Sequence, residues 1–250
     1  MAKKRGTMIK KALSIAFVLC CVGLPAMAQS VNIDLGDNGG SSTARIVQLV
    51  LLLTVLSVAP SLLVMVTSFT RIAIVLSITR QALGTSQTPA NIILISLALF
   101  MTGFIMTPTF EKAWDNGIYP LIEEKIETKT AIERTVKPFH EFMMKNVREK
   151  DLQLFMGFTK AQKVESPEDT PLTALVPAFM ISELRRAFEI GFLIYVPFLI
   201  IDMVVASVLM SMGMMMLPPS MLSLPFKLIF FVLIDGWYML VGSLVKSFST

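Results

Sequence analysis

Four long apolar stretches dominate the sequence, and each is long enough to cross a membrane as a helix. They cover residues 46–69, 92–110, 190–212 and 221–245 of the 250, and a membrane-spanning helix needs about 20 predominantly apolar residues. Because 54% of the residues are hydrophobic and only 16% are charged, the chain has more apolar surface than one small domain can bury. The composition therefore excludes a soluble globular enzyme and predicts an all-α, multi-pass integral membrane protein.

The N-terminus has the pattern of a secretory signal peptide. Five basic residues and no acid lie in the first eleven positions, and an apolar run follows from Ala12 to Gly23. Ala26 and Ala28 hold the small-residue positions of a cleavage site, so we expect cleavage after Ala28; an uncleaved anchor is the alternative. Cleavage would remove both cysteines, Cys20 and Cys21, and with them any disulfide.

The charge balance predicts the orientation of the chain. Beyond residue 28 there are 17 basic and 18 acidic residues, so the basic character belongs to the leader and does not indicate nucleic-acid binding. The 71–90 connection carries Arg71 and Arg80 and no acid, whereas the 111–172 connection carries ten bases and twelve acids. Positively charged loops stay in the cytoplasm, so we expect the mature N-terminus and the 111–172 segment to be periplasmic.

These patterns together predict the domain organisation. The polar, Gly- and Ser-rich residues after the leader predict a flexible linker, and Pro138 predicts the start of a second helix within the external segment. The predicted parts are a cleaved signal peptide (1–28), a linker (29–45), a first helical hairpin (46–110), a periplasmic helical insert (111–173) and a second helical hairpin (174–250).

Enzyme chemistry has little support in the sequence. The single histidine, His140, lies in the charged external segment, where a lone histidine is typical of a partly solvated helix residue. The sequence has no G-x-S-x-G, H-E-x-x-H or P-loop motif, and without cysteine or a histidine cluster a transition-metal site lacks its usual ligands. We expect no catalytic residue, no metal site and no cofactor.

Three charges lie inside the third and fourth apolar stretches. Asp202, Lys227 and Asp235 would each be costly in a membrane unless paired or neutralised. Counted from the turn near residue 217, Asp202 and Lys227 differ in depth by roughly 7 Å at about 1.5 Å per residue, which a lysine side chain can bridge. The alternatives are this structural pair or a proton relay, and pairing is favoured because no further acids continue a path.

A charged cluster precedes the third stretch in PAFMISELRRAFEIGF, residues 177–192. Glu183 and Arg186 are three residues apart, and Arg185 and Glu189 are four apart, so each pair can meet on one helix face. One interpretation is a solvated helix at the membrane border. The other, which we favour, is an intersubunit ion network formed by all four side chains.

The segment SMGMMMLPP at residues 211–219 combines helix breakers with methionine. Gly213 and Pro218–Pro219 predict a loop between two helices. Methionine is flexible and polarizable, so it fills irregular gaps; an ordinary apolar turn and a compliant pore gasket are the two interpretations. The methionines concerned are Met210, Met212, Met214, Met215 and Met216.

Five stretches of the sequence resemble the FliP family of flagellar biosynthetic proteins, part of the type III secretion export gate. The resemblance does not extend to residues 1–45 and is loose over 113–170. The stretches are SFTRIAIVLS (68–77), LGTSQTPAN (83–91), PAFMISELRRAFEIGF (177–192), PFLIIDMVVASVLMSMGMMMLPP (197–219) and LPFKLIFFVLIDGW (224–237).

This resemblance implies a non-enzymatic subunit of a protein-conducting gate at the flagellar basal body, in the bacterial inner membrane. It implies a homo-oligomeric, pentameric ring of kinked helical hairpins that assembles with Q-type and R-type subunits, contacts lipid and works with B-type and A-type components. The gate would pass unfolded flagellar proteins, with the methionine loop as its gasket. The alternative function is a proton-conducting, stator-like channel that uses Asp202 or Asp235.

Overall fold

A computed structural model of the chain describes residues 42–85, 88–158, 169–214 and 217–249. The predicted signal peptide, with its cleavage residues Ala26 and Ala28, lies outside the described residues. So do nearly all of the predicted linker and the side chains of Met215 and Met216.

Within the described residues all regular structure is helical, which confirms the all-α prediction. A π-helical turn, Trp114–Ile118, joins the third helix to the fourth. The α-helices are α1 (Ser42–Met65), α2 (Phe69–Ala82), α3 (Asn91–Ala113), α4 (Tyr119–Ile122), α5 (Thr128–Asn146), α6 (Glu149–Phe158), α7 (Leu172–Ser211), α8 (Pro219–Leu233) and α9 (Gly236–Ser249).

Two helical segments of the described chain are long and apolar enough to cross a membrane, rather than the four that hydropathy predicts. They are Asn91–Ile122, which includes the π turn, and the 40-residue α7. Helices α8 and α9 form a third span only if they are taken together, because the chain bends by 62° between them. The fourth apolar stretch is therefore a broken hairpin arm and not one continuous helix.

The chain divides into two compact units, Met1–Thr54 and Val55–Thr250. In the first unit the described residues belong to α1, and their large apolar side chains, such as Leu51 and Leu53, are exposed. In the second unit the core forms around α2, which buries residues at helical spacing. They form one buried cluster with residues of α3, α7 and α9. Members of this cluster are Ile72, Val75, Leu76, Leu94, Ala98, Ala187, Leu240 and Leu244.

Helices α2 and α7 come very close together at Gly191. A Cβ atom added at Gly191 would lie 2.4 Å from Cδ1 of Ile78, closer than two carbon atoms can approach. The missing side chain therefore leaves room for the Ile78 side chain against the backbone of α7. This contact holds the charged part of α7 against α2.

The described part of the 111–172 segment packs against the beginning of α7. Met143 of α5 is buried with Leu175 and Phe179 of α7, and Nε2 of His140 lies 2.9 Å from the carbonyl oxygen of Thr170. His140 thus has a structural contact that ties α5 to the start of α7. Pro138 lies inside α5, so the prediction that it starts a helix is wrong.

The 71–90 connection, on which the predicted orientation depends, is mostly helix. Arg71 lies in the first turn of α2 and is 1% exposed. It is not a loop residue that a positive-inside count should include. Arg80 lies in the last turn of α2, so the count for this connection rests on one arginine at the end of a helix.

Candidate functional site: buried ion pairs and the methionine-rich loop

A buried ion pair joins α2 to α7. Nε of Arg71 donates to Oε2 of Glu183 at 2.8 Å, and Nη2 donates to Oε1. The two side chains are 1% and 0% exposed. A bidentate pair of this kind gives strong, directional hydrogen bonds, so it sets both the spacing and the register of the two helices.

The same arginine also holds the C-terminal helix. Nη1 of Arg71 donates to the carbonyl oxygen of Ser247 at 3.1 Å and to its Oγ at 3.0 Å. The guanidinium carbon lies 3.7 Å from the centre of the Phe248 ring, within the range of a cation–π contact. Arg71 therefore connects three helices, α2, α7 and α9, at one buried point.

This arrangement corrects the predicted local pair between Glu183 and Arg186. Both carboxylate oxygens of Glu183 face Arg71, and Glu183 is buried within a single chain, whereas Arg186 is half-buried. Arg185 and Glu189 do pair, at 2.8 Å, and their side chains are 56% and 58% exposed. Only this outer pair has the exposure that contact with a second subunit requires.

A second ion pair joins α7 to α8. Nζ of Lys227 donates to Oδ2 of Asp202 at 2.5 Å and to the carbonyl oxygen of Ala82 at 3.1 Å. Oγ of Ser223 donates to Oδ1 of Asp202 at 2.6 Å. The pairing expected from helix geometry is thus present, and both carboxylate oxygens already have partners, which favours structural pairing over a proton relay.

Asp235 lies at the break between α8 and α9 and is exposed. Its φ is 52°, in the left-handed region that aspartate and asparagine tolerate better than most residues. Its N–H donates to the carbonyl oxygen of Val232, and its own carbonyl oxygen accepts from Met239. The structure therefore corrects the expectation of a buried charge at mid-span, because Asp235 ends one helix and begins the next.

The methionine-rich loop begins with a Schellman motif at the end of α7. Gly213 has φ 75°, its N–H donates to Met210, and the N–H of Met214 donates to the carbonyl oxygen of Leu209 at 3.0 Å. Both hydrogen bonds define this C-terminal cap. The next helix begins at Pro219, so the sequence placed the loop correctly between Gly213 and the two prolines.

The methionine side chains that the structure describes in this loop and in the last turn of α7 lie on the surface. Met210, Met212 and Met214 are 61%, 67% and 42% exposed. An apolar, flexible side chain that is exposed in one chain is available to contact another chain or lipid. The loop therefore offers soft apolar surface at the tip of the second hairpin.

Sequence reasoning missed two partners in these clusters. Arg71 is 112 positions from Glu183, and Ser223 contacts Asp202 across the hairpin. For Arg71 the sequence does give an indication, because an arginine in the first turn of an apolar helix with no acid nearby needs a distant counter-ion. In the described ranges there is also no group of three or more potential metal ligands.

Comparison with known proteins decides the family. The model of the FliP family matches residues 52–244, a range that contains both ion pairs and the methionine-rich loop. The chain belongs to the FliP family. The family resemblance noted in the sequence is thereby confirmed.

Relatives in distant bacteria share about half of their residues with the chain. Flagellar biosynthetic protein FliP of Caulobacter vibrioides is 55% identical over 239 residues, covering 94% of this chain and 90% of that protein. FliP of Rhizobium meliloti is 53% identical and FliP of Bacillus subtilis 55% identical. These alignments cover 96% and 89% of this chain and all of each relative.

Proposed function

We propose that the chain is a subunit of the flagellar type III export gate, which passes unfolded flagellar proteins across the bacterial inner membrane. Membership of the FliP family, over residues 52–244, carries this proposal. The relatives' shared name assigns them to flagellar biosynthesis, and the apolar helices fit insertion into a membrane. Such a subunit conducts a polypeptide and needs no catalytic group. In this proposal the 111–172 segment faces the periplasm.

Exposed apolar side chains support an oligomer. Along α7, which is apolar enough to cross a membrane, they form a surface that a single chain leaves uncovered. A pentameric ring, with Q-type and R-type subunits and lipid around it, would cover this surface. The larger members are Phe188, Phe192, Leu193, Ile200 and Met203, at 55–70% exposed.

We assign the closing of the gate to the methionine-rich loop. The Schellman motif at Gly213 ends α7, and α8 begins at Pro219, so the loop connects the two helices of the hairpin. Loops from several copies that converge on one axis would fill a pore with apolar side chains. Since methionine can change rotamers at low cost, the plug could deform around a passing chain.

Disulfide cross-linking tests this convergence. The change is Met214→Cys in a chain whose two natural cysteines, Cys20 and Cys21, are replaced by serine. Under oxidant, in membranes that contain the whole export apparatus, the loops should form disulfide-linked dimers, because a disulfide needs Cα atoms within about 7 Å. Lys129→Cys, an exposed position on α5, is the matched control. Dimers at equal yield from both positions, or none from Met214→Cys in motile cells, would refute the assignment.

A further inference from the structure

A cavity lined by basic side chains lies where the end of α3 meets α5. Its volume is about 460 Å³, and its lining residues are Lys112, Asn116, Arg134, Lys137, Pro138 and Glu141. Three of these side chains are cationic and one is anionic, so the lining has a net positive charge. The basic groups come from two different helices that the fold brings together.

A second cavity, of about 310 Å³, continues from the first along α3. The two share Lys112, Pro138 and Glu141, and the second adds Lys145 together with the apolar side chains of Ile105 and Phe142. The second cavity also contains Thr109 and Asn146, so the combined site presents charged, polar and apolar side chains next to one another. An amphiphile matches such a lining better than a simple ion does.

Lys112, which lines both cavities, follows the uncharged part of α3. Residues 91–110 carry no charge, and 20 helical residues span about 30 Å, the thickness of the hydrocarbon core of a bilayer. Phe100 and Phe104 of the same helix are 80% and 71% exposed. If residues 91–110 cross the hydrocarbon core, Lys112 lies at the level of the lipid headgroups.

We propose that this cavity binds the headgroup of an anionic phospholipid, with an acyl chain lying along α3. Lysine and arginine bind phosphate through charge-assisted hydrogen bonds, and the fork of Arg134 can hold two phosphate oxygens. Glu141 can accept a hydrogen bond from a hydroxyl group, so a glycerol headgroup fits better than choline. A free phosphate ion would leave the apolar side chains of Ile105 and Phe142 uncovered.

The experiment measures lipid binding to the full chain purified in detergent, by native mass spectrometry. Phosphatidylglycerol, phosphatidylcholine and inorganic phosphate are the three probes. The cavity variant is Lys112→Gln with Arg134→Gln and Lys137→Gln. The matched control removes three exposed charges outside the cavity, in Lys125→Gln, Lys129→Gln and Lys150→Gln. Unchanged thermal midpoints would show that both variants fold.

We expect the chain to retain phosphatidylglycerol in preference to phosphatidylcholine. Each basic residue at an anionic lipid surface contributes about fivefold to affinity, so the cavity variant should lose at least tenfold and the control much less. An equal loss in both variants, equal retention of the two lipids, or displacement of phosphatidylglycerol by inorganic phosphate at similar concentration would each overturn the proposal. Because export plays no part in this measurement, its result does not depend on the proposed gate.

Discussion

Replacement of Glu183 by leucine should be one of the most destabilising single changes in the chain. It would leave the guanidinium of Arg71 buried without a counter-ion, and loss of one partner of a buried pair costs about 3–5 kcal/mol. The lost hydrogen bonds give a similar figure, since two bonds to a charged group contribute about 1.5–3 kcal/mol each. Ser247 still accepts from Arg71, so we expect a cost near the lower value.

A double-mutant cycle measures this coupling. The variants are Glu183→Leu, Arg71→Met and the combination, and the measured quantity is the free energy of unfolding of the detergent-purified protein. A loss of about 3 kcal/mol lowers the Tm by about 6–12 °C. Because removal of both charges leaves no unpaired ion, the double variant should recover at least about 2 kcal/mol relative to additivity.

The exposed pair of Arg185 and Glu189 provides the control. Their side chains are more than half exposed, and exposed ion pairs contribute about 0–1 kcal/mol. If the cycle on Arg71 and Glu183 gave a coupling energy as small as this control, the buried contact described above would be refuted.

Three further changes test other contacts of the fold. Asp202→Asn should lower the Tm, because Lys227 is 5% exposed and would lose its counter-ion. Proton flux through membranes should not change, and a loss of measurable proton flux in this variant would favour a proton channel. Gly191→Ala should destabilise by about 1–3 kcal/mol through overpacking, and Ile78→Ala in the same chain should restore part of the loss in a thermal unfolding assay. Asp235→Val should cost about 1–2 kcal/mol because of the positive φ, whereas Asp235→Asn should be neutral; equal unfolding midpoints would contradict this.

The ends of the methionine-rich loop and one ion pair could be predicted from the sequence. Gly213 and the two prolines at 218 and 219 fix the ends of the methionine-rich loop through their own backbone preferences, which need no tertiary contact. The pair of Asp202 and Lys227 was predictable for a similar reason. The two residues lie at comparable depth on helices joined by one short loop, so their spacing along the chain nearly fixes their spacing in space.

Contacts between residues far apart in the chain, and a bend at a single residue, could not be predicted from the sequence. Glu183 had a local candidate in Arg186, and nothing in spacing alone indicates that Arg71, far away in the chain, takes its place. The break at Asp235 was hidden because hydropathy is averaged over a window, whereas a bend depends on the backbone of one residue. The proposed function depends on the family, since the residues alone leave a gate and a proton channel both open.

Permeability of the resting membrane tests the central claim most directly. The change is Met214→Ala, Met215→Ala and Met216→Ala together, in cells that retain the rest of the export apparatus. If the methionine side chains seal a shared pore, membranes with the assembled variant should leak ions or small solutes that the wild-type membranes exclude. A variant that assembles, exports flagellar proteins normally and stays as tight as the wild type would contradict the account.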